Sequence, residues 1–396
     1  MSDSKERVFA VLGAGRQGTA AAYDLAKFGN AKAVIIADMN LEAAKKSAAR
    51  VNNLLNTDLA KAHFLDITHQ DELVAFLSGV NTVLSAVPYY FNLEIAKAAI
   101  AAGTNMCDLG GNTNLVMEQL KLDSKAKAAS ISIIPDCGQV PGMGTTLCVF
   151  AMSLLDKPEE VYMWDGGLPQ KPRPPFNYLQ TFHIDGLINE YYGTTEFLRN
   201  GKIIEVPCFT EFEEIEFPPP VGRLEAFTTS GGTSTAPRTF KGKLKAYQNK
   251  TVRFPGSFIQ LKTMDDLGLF DPNEIEVGST TITPRAVFAK LFGPKVNFPE
   301  DKDMVVIRII CKGKNKGKSA EAQVDVMDFY DEETGFTSME RTTGWSAAIV
   351  ALMMANGHAK KGAVRLELAI PSSEFVQEIR RRGIDVKEQV KYTNES

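Results

Sequence analysis

The sequence is short of the residues that mark several special classes of protein. It has only five cysteines, at 107, 137, 148, 208 and 311, and no Cys-x-x-Cys pair. An odd, scattered set argues against a disulfide framework or a zinc site and for a reducing compartment; no metal is expected. Long apolar runs are missing. "WSAAIVALMMA" (345–355) is too short to span a membrane and reads as a buried helix. The N-terminal "MSDSKERVFAVLGAG" carries no apolar signal segment with a cleavage site. A long basic block is also missing: formal net charge is −4, and "KGKNKGK" (312–318) is broken by glycine and reads as a solvated hairpin tip. This gives nucleic-acid binding no electrostatic support. The expectation is a soluble cytoplasmic protein without a membrane or nucleic-acid partner.

What is present points to a core and a division of labour. With 396 residues and 44% hydrophobic content, two domains are expected. Val8–Leu12 is a short β-rich run, followed by Gly13-Ala-Gly15-Arg-Gln-Gly18 and an alanine-rich helical stretch. The next apolar run, "AVIIAD" (33–38), ends in Asp38, twenty residues past Gly18. A lone GxGxxG is weak evidence, but here it lies between a strand and a helix, with an acid ending the next strand. Gly13 permits the tight turn, Gly15 lets the backbone approach a pyrophosphate, and Gly18 lets helix and strand pack closely. The free N–H groups of the helix start, at Arg16 and Gln17, face the phosphates. Asp38 suits the ribose hydroxyls and repels a 2′-phosphate, so NAD is favoured over NADP, with Arg16 partly offsetting that repulsion. A glycine-rich turn of unrelated use, with Asp38 as a helix cap, is the alternative.

Strands and helices then alternate: helix 41–55, strand 62–68, helix 70–79, strand 81–88, helix 91–103, strand 105–110, helix 114–129 and strand 130–136. That order predicts an α/β, doubly wound parallel sheet of the Rossmann type. Ligands bind beyond the C-terminal strand ends of such sheets. Asp66 is expected either near the adenine or as a helix cap. The endings "AVPYY", with Ala86, Val87 and Pro88, "CDLGGN" and "PDCG" are expected to face the nicotinamide. Beyond Pro141 the chain is richer in proline and β-like segments. It predicts a second, α+β domain on a mixed, mainly antiparallel sheet covering the cleft. "SSEFVQEIRRRG" (372–383) reads as a surface helix with a serine cap.

"VLGAGRQG", "VPYYFN", "CDLGGN" and "PDCGQVPGM" together resemble the saccharopine dehydrogenase superfamily, and more closely its lysine 6-dehydrogenase branch. The likeness continues through "GGLPQKPRPPFNY", "HIDGLINEYY", "LEAFTTSGGTST", "KTVRFPG" and "ERTTGWSA". Two positions depart from it: Ser257 and Thr228 stand where relatives often carry histidine. The resemblance implies an NAD-binding domain over 1–142, with 343–396 packing back on it, and a substrate and dimerisation domain over 143–342. It also implies a homodimer or larger even assembly and oxidation of an amino acid's side-chain amine.

The candidate residues follow from that chemistry. A primary amine must lose its proton before hydride leaves, and its ammonium has a pKa of about 10.4, so a base is needed. Asp136 is the candidate base or orienting acid, against a hinge-stabilising role. Tyr89 offers a hydroxyl. His183 is a catalytic candidate, against a structural histidine. Arg253 has the fork for a substrate carboxylate, against an ion pair. Thr229, Ser230 and Asn112 are substrate-binding candidates, with the "TSGG" stretch either covering the substrate or forming an exposed loop. Cys137 is more simply a buried thiol. Saccharopine- or carboxynorspermidine dehydrogenase-like chemistry on a secondary amine is the second reading, needing more cations, with Arg173, Arg223 and Arg238 as material. A non-catalytic NAD(H) sensor is the third.

Overall fold

The computed structural model describes residues 7–392. The chain divides into two compact units. The first holds the chain through Val149 with Glu332–Phe336 and Glu340–Gly383; the second holds Phe150–Asp331, Thr337–Met339 and the chain from Ile384.

The first unit is built on six strands, β1 (Arg7–Leu12), β2 (Ala31–Asp38), β3 (Ala60–Phe64), β4 (Thr82–Ser85), β5 (Asn105–Asp108) and β6 (Ser132–Ile134). The short strand Gly362–Ala363 adds a seventh at the β6 edge, giving the order Gly362–Ala363, β6, β5, β4, β1, β2, β3. Every pairing is parallel. Phe9 to Leu12 have no accessible surface, which accounts for a continuous apolar run in place of alternation. The order reverses between β1 and β4, the switch point where such sheets take ligands. Register carries Ala37, Leu12, Ser85 and Asp108 across the sheet in one row. The residues that follow them form its C-terminal rim. The doubly wound expectation is therefore met.

Several local boundaries differ. Asp66 lies beyond β3, which ends at Phe64. The expected helix 114–129 is two helices, Thr113–Leu120 and Asp123–Ala128. Continuous Lys/Ala-rich sequence hides that break, where the Asp123 carboxylate turns to accept the Ala363 N–H at 3.1 Å. The helix Ser372–Arg381 begins after Pro371 and has no side-chain cap, and Ser372 is buried within it. Its apolar face, Phe375, Val376 and Ile379, is also buried, so it is a half-buried helix. Past Gly383 the chain leaves this unit, so the expected returning segment stops short of 396. The helix Ser346–Ala355 is buried nearly throughout, as its composition demands. It continues from a π-helical turn, Arg341–Trp345, whose Gly344 lies so close to the helix α1 (Arg16–Phe28) that a Cβ would stand 2.8 Å from the Gln17 carbonyl oxygen.

The second unit carries a nine-stranded mixed sheet. Its centre is Lys157–Pro169, parallel to Ala246–Arg253 and antiparallel to Asp303–Asn315. Asp303–Asn315 pairs with Lys318–Phe329, which pairs antiparallel with Val386–Tyr392. The tip of that hairpin is Lys316-Gly317, both at positive φ, 51° and 74°. Two left-handed residues suit a tight hairpin turn, and the charged "KGKNKGK" flanks it as expected. Rings of Tyr178, Tyr191, Phe209, Phe227, Phe270 and Phe292 form a second core. Among the described residues, no helix is long and apolar enough to cross a membrane.

The first unit contains a buried ion pair that links its first helix to the end of its C-terminal segment. Asp24 of α1 meets Arg382 (Oδ1 to Nη2, 2.9 Å), and both side chains are inaccessible. Removing one partner strands a buried charge, which costs about 3–5 kcal/mol. Arg382→Met is expected to lower unfolding free energy by that amount in a denaturant titration, and Asp24→Asn added to it to restore most of the loss.

Candidate active site

The rim of the first unit is assembled around the glycine loop. Gly13 takes φ +99°, and a Cβ there would sit 2.8 Å from the Ala86 carbonyl oxygen and 3.2 Å from Val87. Ala86 donates its N–H to the Leu12 carbonyl at 2.8 Å, so the ends of β1 and β4 are locked together. A Cβ on Gly18 would stand 1.9 Å from the Gly13 carbonyl oxygen, hence the glycine. Gly15 differs: it is exposed, and a Cβ there would meet nothing within 4 Å. Packing does not require this glycine, whereas a close ligand would. Gly15 is also the N-cap residue of α1, and no side chain caps that helix. The side-chain oxygen of Gln17 is buried without a hydrogen-bond partner among the described residues.

Asp38 is held against this loop. Its Oδ2 accepts the Ala14 N–H and its Oδ1 the Asn40 N–H, both at 2.8 Å. Arg16 is turned to Glu340, with Nε 3.0 Å from Oε1. Open space at Gly15, an uncapped helix start and a fixed acid after β2 together fit a dinucleotide. Asp66 accepts from the N–H and hydroxyl of Thr68, at 2.9 and 2.7 Å, and these bonds hold its pKa below the ordinary carboxylate value. It closes a turn ahead of the helix Gln70–Leu77, whose N-cap position belongs to His69.

The other strand ends converge on a residue that sequence reading passed over. Asp108, the last residue of β5, is wholly buried. Its Oδ1 accepts the N–H groups of Gly110 (2.8 Å) and Asp136 (3.2 Å), and its Oδ2 accepts Gln119 Nε2 at 2.8 Å. Burial raises its pKa, and these three donors work against the rise. Asp136 itself is buried and sits at φ +63°, a left-handed conformation that costs a non-glycine residue energy and collects at functional sites. Its Oδ1 lies over Gly110, where a Cβ would come within 2.3 Å. Gly111, at φ +123°, lies under the Tyr89 ring, 3.1 Å from where its Cβ would be. The structure therefore brings Tyr89, Gly110, Gly111, Asp108 and Asp136 together. Pro88 precedes the 3₁₀ turn Tyr89–Phe91, and Tyr90 points outward, 59% exposed. Asn112 caps the helix Thr113–Leu120 by accepting the Leu115 N–H at 3.1 Å. The Cys137 thiol donates to the Ile134 carbonyl, and burial pushes its pKa well up, so it is an inert thiol.

In the second unit the buried cation is Arg253, at the end of its strand and 4% exposed. Nε donates to Tyr191 Oη and Nη1 to the Val252 carbonyl, both at 2.9 Å. Nη2 stands 3.7 Å from Glu190 Oε2, too long for a hydrogen bond. The rings of Tyr178 and Tyr191 flank the guanidinium, 5.3 and 5.7 Å from it. Burial pushes the Glu190 carboxyl up to about 7 against the pull of Arg253, with Asp165 adding to the rise. A cavity of about 10 Å³ reaches Arg253 between Tyr178, Tyr191, Ser257 and Phe292, with room for about one water. Ser257, one of the two departures from the family pattern, therefore lies beside Arg253. Thr228, the other, is fully buried, and its hydroxyl has no hydrogen-bond partner among the described residues. A roomier depression of about 350 Å³ is lined by Arg199, Glu211, Gln248 and Lys250. Its cations are already matched, Arg199 to Glu211 at 2.6 Å and Lys250 to Glu213 at 2.9 Å. The smaller cavity is the one with cationic donors to spare.

Of the remaining candidates, Ser230 lies next to Glu190, its N–H donating to the Glu190 carbonyl at 2.8 Å. The Thr229 and Thr251 hydroxyls bond each other at 2.6 Å, and Ser230 donates to the Asn189 carbonyl at 2.6 Å. Their stretch packs into the unit instead of forming an open loop, because residues this small fit there. His183 is exposed and accepts the Asp185 N–H at 3.3 Å as the cap of the helix Ile184–Glu190. Arg173, Arg223 and Arg238 pair with Asp301, Glu214 and Glu196. Among the described residues, no cluster of three or more His, Cys, Asp or Glu side chains is arranged to hold a metal.

Comparison with known proteins agrees with this geometry. Residues 9–134 match the saccharopine dehydrogenase NADP binding domain, and residues 138–384 match the saccharopine dehydrogenase C-terminal domain. The chain belongs to the saccharopine dehydrogenase family. The family comprises NAD(P)-dependent oxidoreductases of amino-acid C–N bonds, and residues 9–134, within the first unit, are its NAD(P)-binding domain. The mitochondrial alpha-aminoadipic semialdehyde synthase of Rattus norvegicus is 22% identical over 90% of this chain and 45% of its own length. The chain thus spans less than half of that relative. The carboxynorspermidine synthase of Vibrio alginolyticus is 23% identical, with 86% of both chains covered. Apo saccharopine dehydrogenase (L-Glu forming) from Saccharomyces cerevisiae shares the fold, with a TM-score of 0.77 at 18% identity over 97% of this chain and 100% of that one.

Gly15 supplies the sharpest test of the nucleotide site. Gly15→Ala is expected to leave the melting temperature unchanged, since the added methyl meets no atom, and to weaken NADH at least about tenfold in a fluorescence titration. Gly18→Ala is expected to lower both.

Proposed function

We propose that this protein is an NAD-dependent oxidoreductase that removes the side-chain amine of a lysine-like amino acid as ammonia and leaves a semialdehyde. The observation that carries the reading is the strained, buried Asp136 at the rim, its backbone N–H held by Asp108 and its carboxylate resting on Gly110. The nicotinamide, when bound, accepts the hydride. The protein's own residues do the rest. Asp136 takes the proton from the substrate ammonium, passes it to solvent, and then assists water in attacking the imine, with Tyr89 on the same rim. Within the second unit, Arg253 offers a carboxylate the bidentate fork of its planar guanidinium. Amine, NAD and water give aldehyde, ammonia, NADH and a proton. NAD is preferred because Asp38 would face a 2′-phosphate with like charge, and because Arg16 is already engaged by Glu340.

A second reading, a secondary-amine substrate as the names of the relatives suggest, draws support from the carboxynorspermidine synthase match over 86% of both chains. The paired states of Arg173, Arg223 and Arg238 weigh against it, since each cation already has an acid. An even homo-oligomer belongs to the proposal and is checked by mass in solution.

NADH formation is the deciding assay, with lysine, ornithine, saccharopine and polyamine adducts offered with NAD and with NADP. Lysine with NAD is expected to be the best pair, and turnover of saccharopine alone overturns the primary-amine reading. Asp136→Asn is expected to lower kcat about 10²–10⁴-fold with NADH affinity unchanged. Asp38→Ser is expected to raise the use of NADP relative to NAD.

A further inference from the structure

Glu190 has no part in the reaction as set out above, yet its placement is unusual. It ends the helix Ile184–Glu190, one residue before the Tyr191 whose hydroxyl accepts from Arg253. Arg253 has five N–H donors, and one on Nε and one on Nη1 are spent on Tyr191 and Val252. Three remain, and the nearest acid, Glu190, stands at 3.7 Å without a hydrogen bond. The Glu190 side chain keeps 34% of its surface accessible, against 4% for Arg253. A pair evolved for stability alone would close into a bidentate bridge, as Arg308 does with Asp325 at 2.8 and 2.9 Å. Here donor and acceptor stand 3.7 Å apart. A ligand that brings its own carboxylate and its own ammonium, one carbon apart, complements both.

We propose that Glu190 receives the α-ammonium of a zwitterionic amino acid whose α-carboxylate binds Arg253. The pair is then a specificity device that selects free α-amino acids over plain amines, polyamines and carboxylates lacking the α-amine. This rests on the reading of Arg253 given under the proposed function and goes beyond it by naming the group that must accompany the carboxylate. The charged groups facing Glu190 are Arg253 and Asp165, with the Tyr178 and Tyr191 phenols held neutral by burial. Ammonium binding needs Glu190 ionised. Since desolvation, with Asp165 beside it, raises its carboxyl above the ordinary value, binding should strengthen as pH rises through the range where Glu190 ionises and fade below it.

The test uses ligands without a side-chain amine, so it is independent of turnover. L-norleucine and hexanoate are titrated into the full-length NAD-loaded protein by calorimetry. Wild type is expected to bind L-norleucine at least about tenfold more tightly than hexanoate, and Glu190→Gln, of the same shape, to bring the ratio near one and remove the rise with pH. Equal affinities in wild type, no binding of norleucine, or an unchanged ratio in Glu190→Gln overturns the proposal. The wild-type comparison stands even if the variant fails to fold. A preserved norleucine preference without lysine oxidation would defeat the reaction reading and leave this one standing. Lysine oxidation with no such preference would do the reverse.

Discussion

The carboxylate of Asp108 is the interaction on which the rim of the first unit depends. It is wholly buried and answered by three N–H donors from three segments, the glycine turn after β5, Asp136 just beyond β6 and the helix Thr113–Leu120. A buried carboxylate with fewer partners would be costly, so the three donors and the charge hold one another in place. The left-handed backbone of Asp136 and the tight contact of Tyr89 on Gly111 are both tied to this network, because Asp136 is itself a donor to Asp108 and Gly111 follows the donor Gly110. Strain at Asp136 persists because its surroundings leave it no alternative.

The parallel sheet was legible in the sequence because its strands are buried on both faces and its glycines obey separate constraints. Gly13 and Gly18 are required by the protein itself, and Gly15 is the one that packing does not require. The spacing pattern treats the three alike, and only the local geometry separates them. Asp108 was missed for a related reason. It lay in plain view in "CDLGGN", but an acid at the end of an apolar strand reads as a ligand of something outside, whereas here it turns inward to backbone N–H groups. The available signal was that two glycines follow it, which gives the backbone freedom to fold back onto the carboxylate.

The second unit was less legible. Its strands are long and pair across large separations, Lys157–Pro169 with Asp303–Asn315 and Ala246–Arg253 with Gly222–Phe227. Single-sequence pattern reading gives strand identity there and not partner identity. Val386–Tyr392 shows the limit, since nothing local says that the last strand leaves the first unit's neighbourhood and extends the second sheet. The helix Ser372–Arg381 shows another. Its arginines looked like last-turn surface charge, and Arg380 and Arg381 are that, but Arg382 is inaccessible and paired to Asp24 far along the chain. Long-range charge partners leave no mark in local sequence.

Two buried arginines therefore serve opposite ends in one chain. Arg382 meets Asp24 at full hydrogen-bonding distance, with both side chains out of solvent, and the pair is closed. Arg253 is as deeply buried, yet its nearest acid is neither bonded to it nor fully covered. Burying a charge is unfavourable unless its partners compensate, and apolar residues of like volume would often do as well in a purely structural role. A closed pair such as Arg382 with Asp24 recovers the desolvation cost within the fold. An open one leaves three N–H donors of Arg253 unspent beyond its bonds to Tyr191 and Val252, and those are the donors that a bound carboxylate would use.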